Sequence, residues 1–191
     1  VQSRNVPAVR PWNEVGSARA SLCARKLGVN VSANAGLSTA IGADASSLQM
    51  AAADGAFATM GVYRKPQFVS KIETADGQVR KYNSTGKRVM KKSTAYMITD
   101  MLKGVFTSGT GTTAKVSGIY EAGKTGTVKY SDSDLVKYPS YSSTPKDSWF
   151  VGYTKQYSIG IWTGYDNLKD GTISGVGQYS AQLIYKYMMS Y

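Results

Sequence analysis

Two strand-like runs separated by only two residues constrain this chain more than any other feature. Residues 148–154 and 157–165 are rich in aromatic and β-branched side chains, with only Lys155 and Gln156 between them. Runs that close together can pair only as a tight antiparallel hairpin. A third run, residues 121–129, reads as a short strand with an unusual load: Glu121-Ala122-Gly123-Lys124-Thr125-Gly126-Thr127-Val128-Lys129. The expected sheet is therefore three antiparallel strands, with residues 121–129 at its exposed edge.

That edge strand has the chemistry to hold an anionic peptide. Glycine has no Cβ to block a second backbone. Thr125 and Thr127 stand two apart and share a face of a strand. Lys124 adds a positive charge and a donor beside them. An extended ligand ending in a carboxylate could pair with the backbone while the hydroxyls and the ammonium hold its anion. A plain edge strand blunted by lysine against aggregation is the other reading of the same residues.

The rest of the chain supplies helices and a separate hairpin. After Ser3-Arg4-Asn5 a helical pattern begins: Val6, Val9, Trp12 and Val15 hold helical spacing, with Pro7 in the first turn and Gly16 as the stop. A second helix is expected over 17–27, ending at Gly28. Residues 29–43 look like loop. A serine at the start of the run Ser46-Ser47-Leu48 is expected to cap an alanine-rich helix that ends at Gly61, and Leu48, Phe57 and Met60 are expected to be closely buried. Residues 67–75 and 79–82 flank Asp76-Gly77 as a hairpin. Ser93 is expected to cap a helix whose core stripe is Tyr96, Met97, Met101, Leu102 and Val105. It ends near Ser108-Gly109. Gly109-Thr110-Gly111-Thr112-Thr113 has no closing lysine before a helix, so it reads as a surface loop near the edge strand and not as a phosphate cradle. Residues 131–147 form a surface excursion. A final helix from about Gln178 carries Leu183, Ile184, Tyr187 and Met188 on one face. The class is α/β in content, of the α+β kind: an antiparallel sheet flanked by helices.

Composition removes several functions. With no histidine among 191 residues, neither a Ser-His-Asp triad nor a histidine-based metal site can be built. Acid–base work falls to lysine, hydroxyl or carboxylate groups. The acidic residues Glu121, Asp132, Asp134 and Asp147 show no paired spacing. No metal and no cofactor is expected. The single cysteine, Cys23, forms no internal disulfide and is expected to be a small buried residue. A net charge of +11 favours anionic partners. The basic residues are scattered, however, with Arg88, Lys91 and Lys92 the tightest group, so no nucleic-acid partner is expected. Trp149, Phe150, Trp162 and Tyr165 are expected in the core and the wall of a cleft. The chain opens at Val1-Gln2-Ser3 without an initiator methionine and stops at Tyr191; it reads as a piece of something larger.

Ser3-Arg4-Asn5 at a helix start and Lys124-Thr125-Gly126 on a strand are each weakly specific alone. Their context is more informative. The run Ser3-Arg4-Asn5-Val6-Pro7-Ala8-Val9, the helices at 48–61 and 93–105, and the blocks 122–127 and 149–165 follow in that order. Together they closely resemble the transpeptidase domain of class A penicillin-binding proteins, the bifunctional peptidoglycan synthases, most like those of streptococci. The resemblance covers nearly the whole chain and implies the serine transpeptidase, β-lactamase-like fold, here without its N-terminal part. Members carry Ser-x-x-Lys, Ser-x-Asn and Lys-Thr-Gly motifs.

The resemblance implies roles for individual residues. Ser3 would relay protons between the catalytic lysine, the leaving group and Lys124. Asn5 would hydrogen-bond the substrate amide. Lys124 would supply positive potential at Ser3 and toward the substrate carboxylate. Thr125 and Thr127 would bind that carboxylate, with the Thr127 backbone N–H forming half of an oxyanion hole, and Gly126 would leave room for the ligand backbone. The implied partners are peptidoglycan stem peptides ending in D-Ala-D-Ala, β-lactams, and the N-terminal remainder of the same protein. The implied place is the extracellular face of the bacterial membrane, anchored by a segment outside these residues.

The nucleophile motif should precede Ser-x-Asn, and only two residues precede Ser3. Two other segments match Ser-x-x-Lys, at Ser84–Lys87 and Ser143–Lys146. The motif works because one helical turn brings lysine to serine, and Gly86 and Pro145 make both matches turn-like. Neither is expected to be the nucleophile, and these 191 residues alone are expected to be inactive. A non-catalytic penicillin-sensing or wall-binding domain of the same fold is the alternative.

Overall fold

A computed structural model describes all residues, 1–191. The chain divides into two compact units, one of residues 1–4 and 97–191, the other of residues 5–96. Each is taken on its own.

In the second unit, α1 (Asn5–Val15) and α2 (Ser17–Lys26) fall where the spacing places them, separated by Gly16 at φ +83°. Ser21, fully buried on α2, donates its hydroxyl to the Ser32 carbonyl at 2.6 Å and anchors the following loop. That loop contains a short 3₁₀ turn at Leu37–Ile41. Then comes α3 (Ser47–Ala58), begun by a full capping box: the Ser46 hydroxyl accepts from the Gln49 N–H, and the Gln49 side chain accepts from the Ser46 N–H.

The burial of α3 differs from expectation. Leu48 and Met60 are exposed, while Ala53, Asp54 and Ala56 are the buried positions. Small side chains are buried because they permit close approach, and Phe57, the largest on the helix, is half-buried. Cys23 is likewise exposed, not buried. Two small ladders complete the unit. β1 (Val62–Tyr63) pairs with β4 (Lys87–Arg88), and β2 (Lys71–Glu73) with β3 (Val79–Lys81), both antiparallel. The second ladder is the hairpin around Asp76-Gly77, shorter than the sequence pattern suggests and exposed at all six strand residues. The first was not foreseen, because two-residue strands leave no alternation to read.

The helix α4 (Lys92–Thr107) follows. Ser93 lies inside it and does not cap it. Its apolar stripe is only partly in the core: Val105 is fully buried, whereas Tyr96, Met97 and Met101 are exposed.

The other unit is built on a three-stranded antiparallel sheet, in the order β5 (Ala122–Lys129), β6 (Pro145–Tyr153), β7 (Ser158–Gly164). The expected hairpin is present, its register pairing Tyr153 with Ser158 and Trp149 with Trp162. The Thr154 hydroxyl accepts from the Gln156 and Tyr157 N–H groups and ties the turn. β5 lies at an edge of the sheet, as its sequence suggested, and pairs Thr125 with Phe150 and Thr127 with Ser148. Between β5 and β6, residues 131–144 hold the helix α5 (Asp132–Lys137) and a 3₁₀ turn, more order than an irregular excursion implies.

The core of this unit gathers Val105, Phe106, Ala114, Phe150, Ile161, Ala181 and Tyr185. Phe106 meets Phe150 edge-on at 5.5 Å between centroids, and Tyr185 lies 4.8 Å from Phe150. Burying a residue such as Phe150 contributes about 1.5–3 kcal/mol by area alone. The last helix, α6 (Ser180–Met189), packs through Ala181, Gln182 and Tyr185. Leu183, Ile184, Tyr187 and Met188, which the sequence puts on one face, are exposed. Two apolar faces compete on this helix, and the aromatic cluster selects the one carrying Tyr185. A Cβ at Gly152 would stand 2.5 Å from the Tyr185 ring, so only glycine lets the helix lie this close to β6.

Candidate functional site

Ser3 and Lys124 are 121 residues apart, yet the Lys124 ammonium donates to the Ser3 hydroxyl at 2.7 Å. Its other donations go to the Thr125 carbonyl at 2.8 Å and the Thr125 hydroxyl at 3.3 Å. β5 holds the lysine from one side. On the other, Ser3 sits at φ +53°, a left-handed conformation uncommon for a residue with a Cβ. Such a backbone costs on the order of 1–3 kcal/mol and persists only where surrounding contacts enforce it. Burial holds the Lys124 ammonium below the ordinary lysine value.

The base of β5 is fixed by Glu121, which is buried. Its carboxylate accepts from the Val116 N–H at 2.8 Å and the Tyr185 hydroxyl at 3.2 Å. Burial raises its pKa, partly offset by those two hydrogen bonds. The same environment, with the carboxylate beside it, pushes the Tyr185 phenol up. This node locks the strand carrying Lys124 to α6 and to the segment leading into the strand. No sequence pattern announces it, since its members lie 64 residues apart.

The glycine and threonines of the strand have distinct settings. Gly126 lies opposite Trp149, and a Cβ there would be 2.9 Å from the Trp149 Cβ. Its smallness is therefore required by the neighbouring strand, before any ligand is considered. Thr125 is half-buried and its hydroxyl meets that of Thr110 at 2.5 Å. Thr127 is exposed, two residues along the same edge. The glycine-threonine loop thus lies beside β5, as its position in the sequence suggested, and Thr110 is a site residue that sequence reasoning assigned only to a surface loop. Its flanking glycines were the available signal: a Cβ at Gly109 would be 2.7 Å from the Val1 carbonyl oxygen, and one at Gly111 2.7 Å from the Val105 side chain.

Ser3, Lys124 and Thr125 are therefore assembled in one unit. Asn5 is the first residue of α1, exposed, in the other unit. The two other Ser-x-x-Lys matches are not helical. Ser84 lies in the irregular segment before β4 and donates to the Lys65 carbonyl, while Lys87 is on that strand. Ser143 ends a 3₁₀ turn and Lys146 is on β6. No cluster of three or more histidine, cysteine, aspartate or glutamate side chains gathers around a potential metal. What the site offers is an ammonium, the hydroxyls of Ser3, Thr110, Thr125 and Thr127, and an open strand edge.

The family model for the penicillin binding protein transpeptidase domain matches residues 11–190. Penicillin-binding protein 1A of Streptococcus oralis is 43% identical along the whole chain, which spans 31% of that protein. Penicillin-binding protein 1A/1B of Bacillus subtilis is 41% identical over 85% of the chain and 18% of its own length. Among solved structures, the D,D-transpeptidase domain of a peptidoglycan glycosyltransferase from Eggerthella lenta superposes with a TM-score of 0.71. It covers 99% of this chain and 52% of that one at 22% identity, a likeness of fold alone. PonA1 of Mycobacterium tuberculosis, 29% identical, gives a TM-score of 0.59 over 74% of this chain and 36% of its own.

Proposed function

Because the chain belongs to the penicillin-binding-protein transpeptidase family, matched over residues 11–190, we propose that it forms the Ser-x-Asn and Lys-Thr-Gly walls of a peptidoglycan D,D-transpeptidase site. The nucleophilic serine comes from the remainder of the protein. The chain spans about a third or less of the length of two streptococcal penicillin-binding proteins 1A that it matches.

In the proposed reaction a serine Oγ attacks the penultimate D-Ala carbonyl of a stem peptide. The terminal D-Ala leaves as the amine, and the amine of a second stem peptide displaces the serine from the acyl-enzyme. Ser3 relays the proton between the catalytic lysine, the leaving nitrogen and Lys124. Asn5 hydrogen-bonds the substrate amide. Lys124 places positive potential at Ser3, while Thr125 and Thr127 hold the terminal carboxylate. The Thr127 N–H provides half of the oxyanion hole, and a preorganised donor of this kind contributes about 2.7–4 kcal/mol at the transition state. β-Lactams enter as analogues of the D-Ala-D-Ala end. The observation that carries this reading is the 2.7 Å contact between Lys124 and Ser3, which unites two motifs 121 residues apart beside an open strand edge.

The remainder of the protein is also proposed to cover the exposed stripes at Met97 and Met101 of α4 and at Tyr187 and Met188 of α6. No helix of the structure is long and apolar enough to cross a membrane. By analogy with the penicillin-binding proteins it matches, anchoring at the extracellular face of the membrane is proposed for a segment outside these residues. The experiment is labelling with a fluorescent penicillin. The intact protein is expected to form a stable covalent adduct and to release D-Ala from a D-Ala-D-Ala stem peptide, whereas residues 1–191 alone take up no label. An intact protein that labels but releases no D-Ala supports a penicillin-sensing role instead.

A further inference from the structure

The hydrogen-bond capacity around Thr125 assigns a task to Thr110, an inference that rests on the proposed carboxylate site. A lysine ammonium has three N–H donors and no acceptor. The three donations of Lys124 go to Ser3 Oγ, Thr125 O and Thr125 Oγ1. A hydroxyl has one O–H and two acceptor positions, and Lys124 fills one of the latter on Thr125. Thr110 Oγ1 lies 2.5 Å from the same oxygen, close enough for either hydroxyl to donate to the other. If Thr125 gave its single proton to Thr110, it would face an incoming anion with a lone pair. If Thr110 donates instead, both acceptor positions of Thr125 are filled. Its O–H is then the one valence left, matched to a carboxylate, which brings only acceptors.

The loop holds Thr110 where this donation requires it. The Thr110 N–H donates to the Val1 carbonyl at 3.3 Å. Gly109 and Gly111 on either side are packed so closely against Val1, Val105 and Phe150 that neither position has space for a Cβ. We propose that Thr110 is a positioning residue that donates to Thr125 Oγ1, fixing the Thr125 hydroxyl as a donor and making the site selective for ligands with a free carboxylate. Charge-assisted hydrogen bonds are roughly twice as strong as neutral ones, so the loss of this arrangement is felt chiefly by anionic ligands.

The test compares second-order acylation rates of the intact protein with benzylpenicillin and with its methyl ester, for wild type, Thr110→Val and Thr110→Ser. Thr110→Val keeps the side-chain shape and removes the donor. It is expected to slow acylation by benzylpenicillin about tenfold, the equivalent of one hydrogen bond, while the ester rate changes less than about twofold. Thr110→Ser is expected to stay within about twofold of wild type for both ligands. A Thr110→Val protein with an unchanged benzylpenicillin rate overturns the inference, as do equal losses for both ligands or failure of serine to restore the preference. If wild type acylates with neither ligand, the transpeptidase reading falls and takes this inference with it.

Discussion

Replacing Lys124 with alanine in the intact protein is expected to lower the acylation rate by benzylpenicillin by at least about a thousandfold, the scale set by losing one preorganised charged donor at a transition state. Three interactions disappear together, because one ammonium bridges Ser3 and both oxygens of Thr125. The loss should also leave Ser3 without the partner that faces its strained backbone turn. Lys124→Arg is not expected to rescue, since a planar fork cannot reproduce the directions of a compact ammonium. The pH profile gives a second signature. Burial makes the ammonium easier to deprotonate, so its pKa falls below the ordinary lysine value of 10.5. The wild-type rate should therefore decline on the alkaline side through a pKa below 10.5, and Lys124→Ala should lack that limb. Stopped-flow acylation across pH, with circular dichroism to confirm folding, measures both effects.

The second large effect concerns stability and lies away from the site. Asp54 is buried in α3, and burial raises its pKa from 3.8 to about 7. Neither of the two ion pairs in the structure, Lys71–Glu73 and Lys103–Asp100, involves it. Between about pH 4 and 7 the folded state keeps a proton that the unfolded chain has released. Stability therefore falls as pH rises through that window and is lowest above it. The raised value corresponds to about 4 kcal/mol of lost stability at pH 8. Asp54→Asn keeps the shape and carries no charge. It is expected to be more stable than wild type by up to about 4 kcal/mol at pH 8, to converge with it near pH 4, and to lack the slope between. Denaturant titrations at several pH values measure this. Equal stability of the two proteins at pH 8 would contradict the assignment of a destabilising buried carboxylate.

Much of the framework is legible in local sequence because it depends on local geometry. Two strands separated by Lys155-Gln156 have one way to pair, and the observed register follows. The edge position of β5 was readable from a strand that carries glycines and a lysine where a central strand would carry apolar side chains. Capping at Ser46 needs only residues three apart. What was not legible involves a choice between faces or contacts across the chain. α6 has apolar residues on two sides, and only the distant ring of Phe150 selects the side with Tyr185. α4 shows a continuous stripe, of which only the Val105 end is fully buried. Cys23 lies between leucine and alanine, but the helix turns its position to solvent.

The site shows the same division. Lys124, Thr125 and Thr127 could be named from the composition of one strand. Ser3 could be named only by its resemblance to a motif, and its contact with Lys124 depends on the folded chain. Glu121 was visible as an acidic residue without a paired partner in sequence. Its partners, Val116 N–H and Tyr185, belong to a neighbouring turn and the final helix. Thr110 looked like ordinary loop: its flanking glycines signal a tightly packed backbone, but not the Thr125 hydroxyl that the side chain meets.

As proposed, these residues form walls of an acyl-transfer site whose nucleophile lies outside them. Peptide mapping by mass spectrometry of the intact protein after reaction with benzylpenicillin tests it most directly. One acylated serine is expected, in a helical Ser-x-x-Lys segment outside the 191 residues, with Ser3, Ser84 and Ser143 unmodified. A stable penicilloyl adduct on any serine within this chain would contradict it.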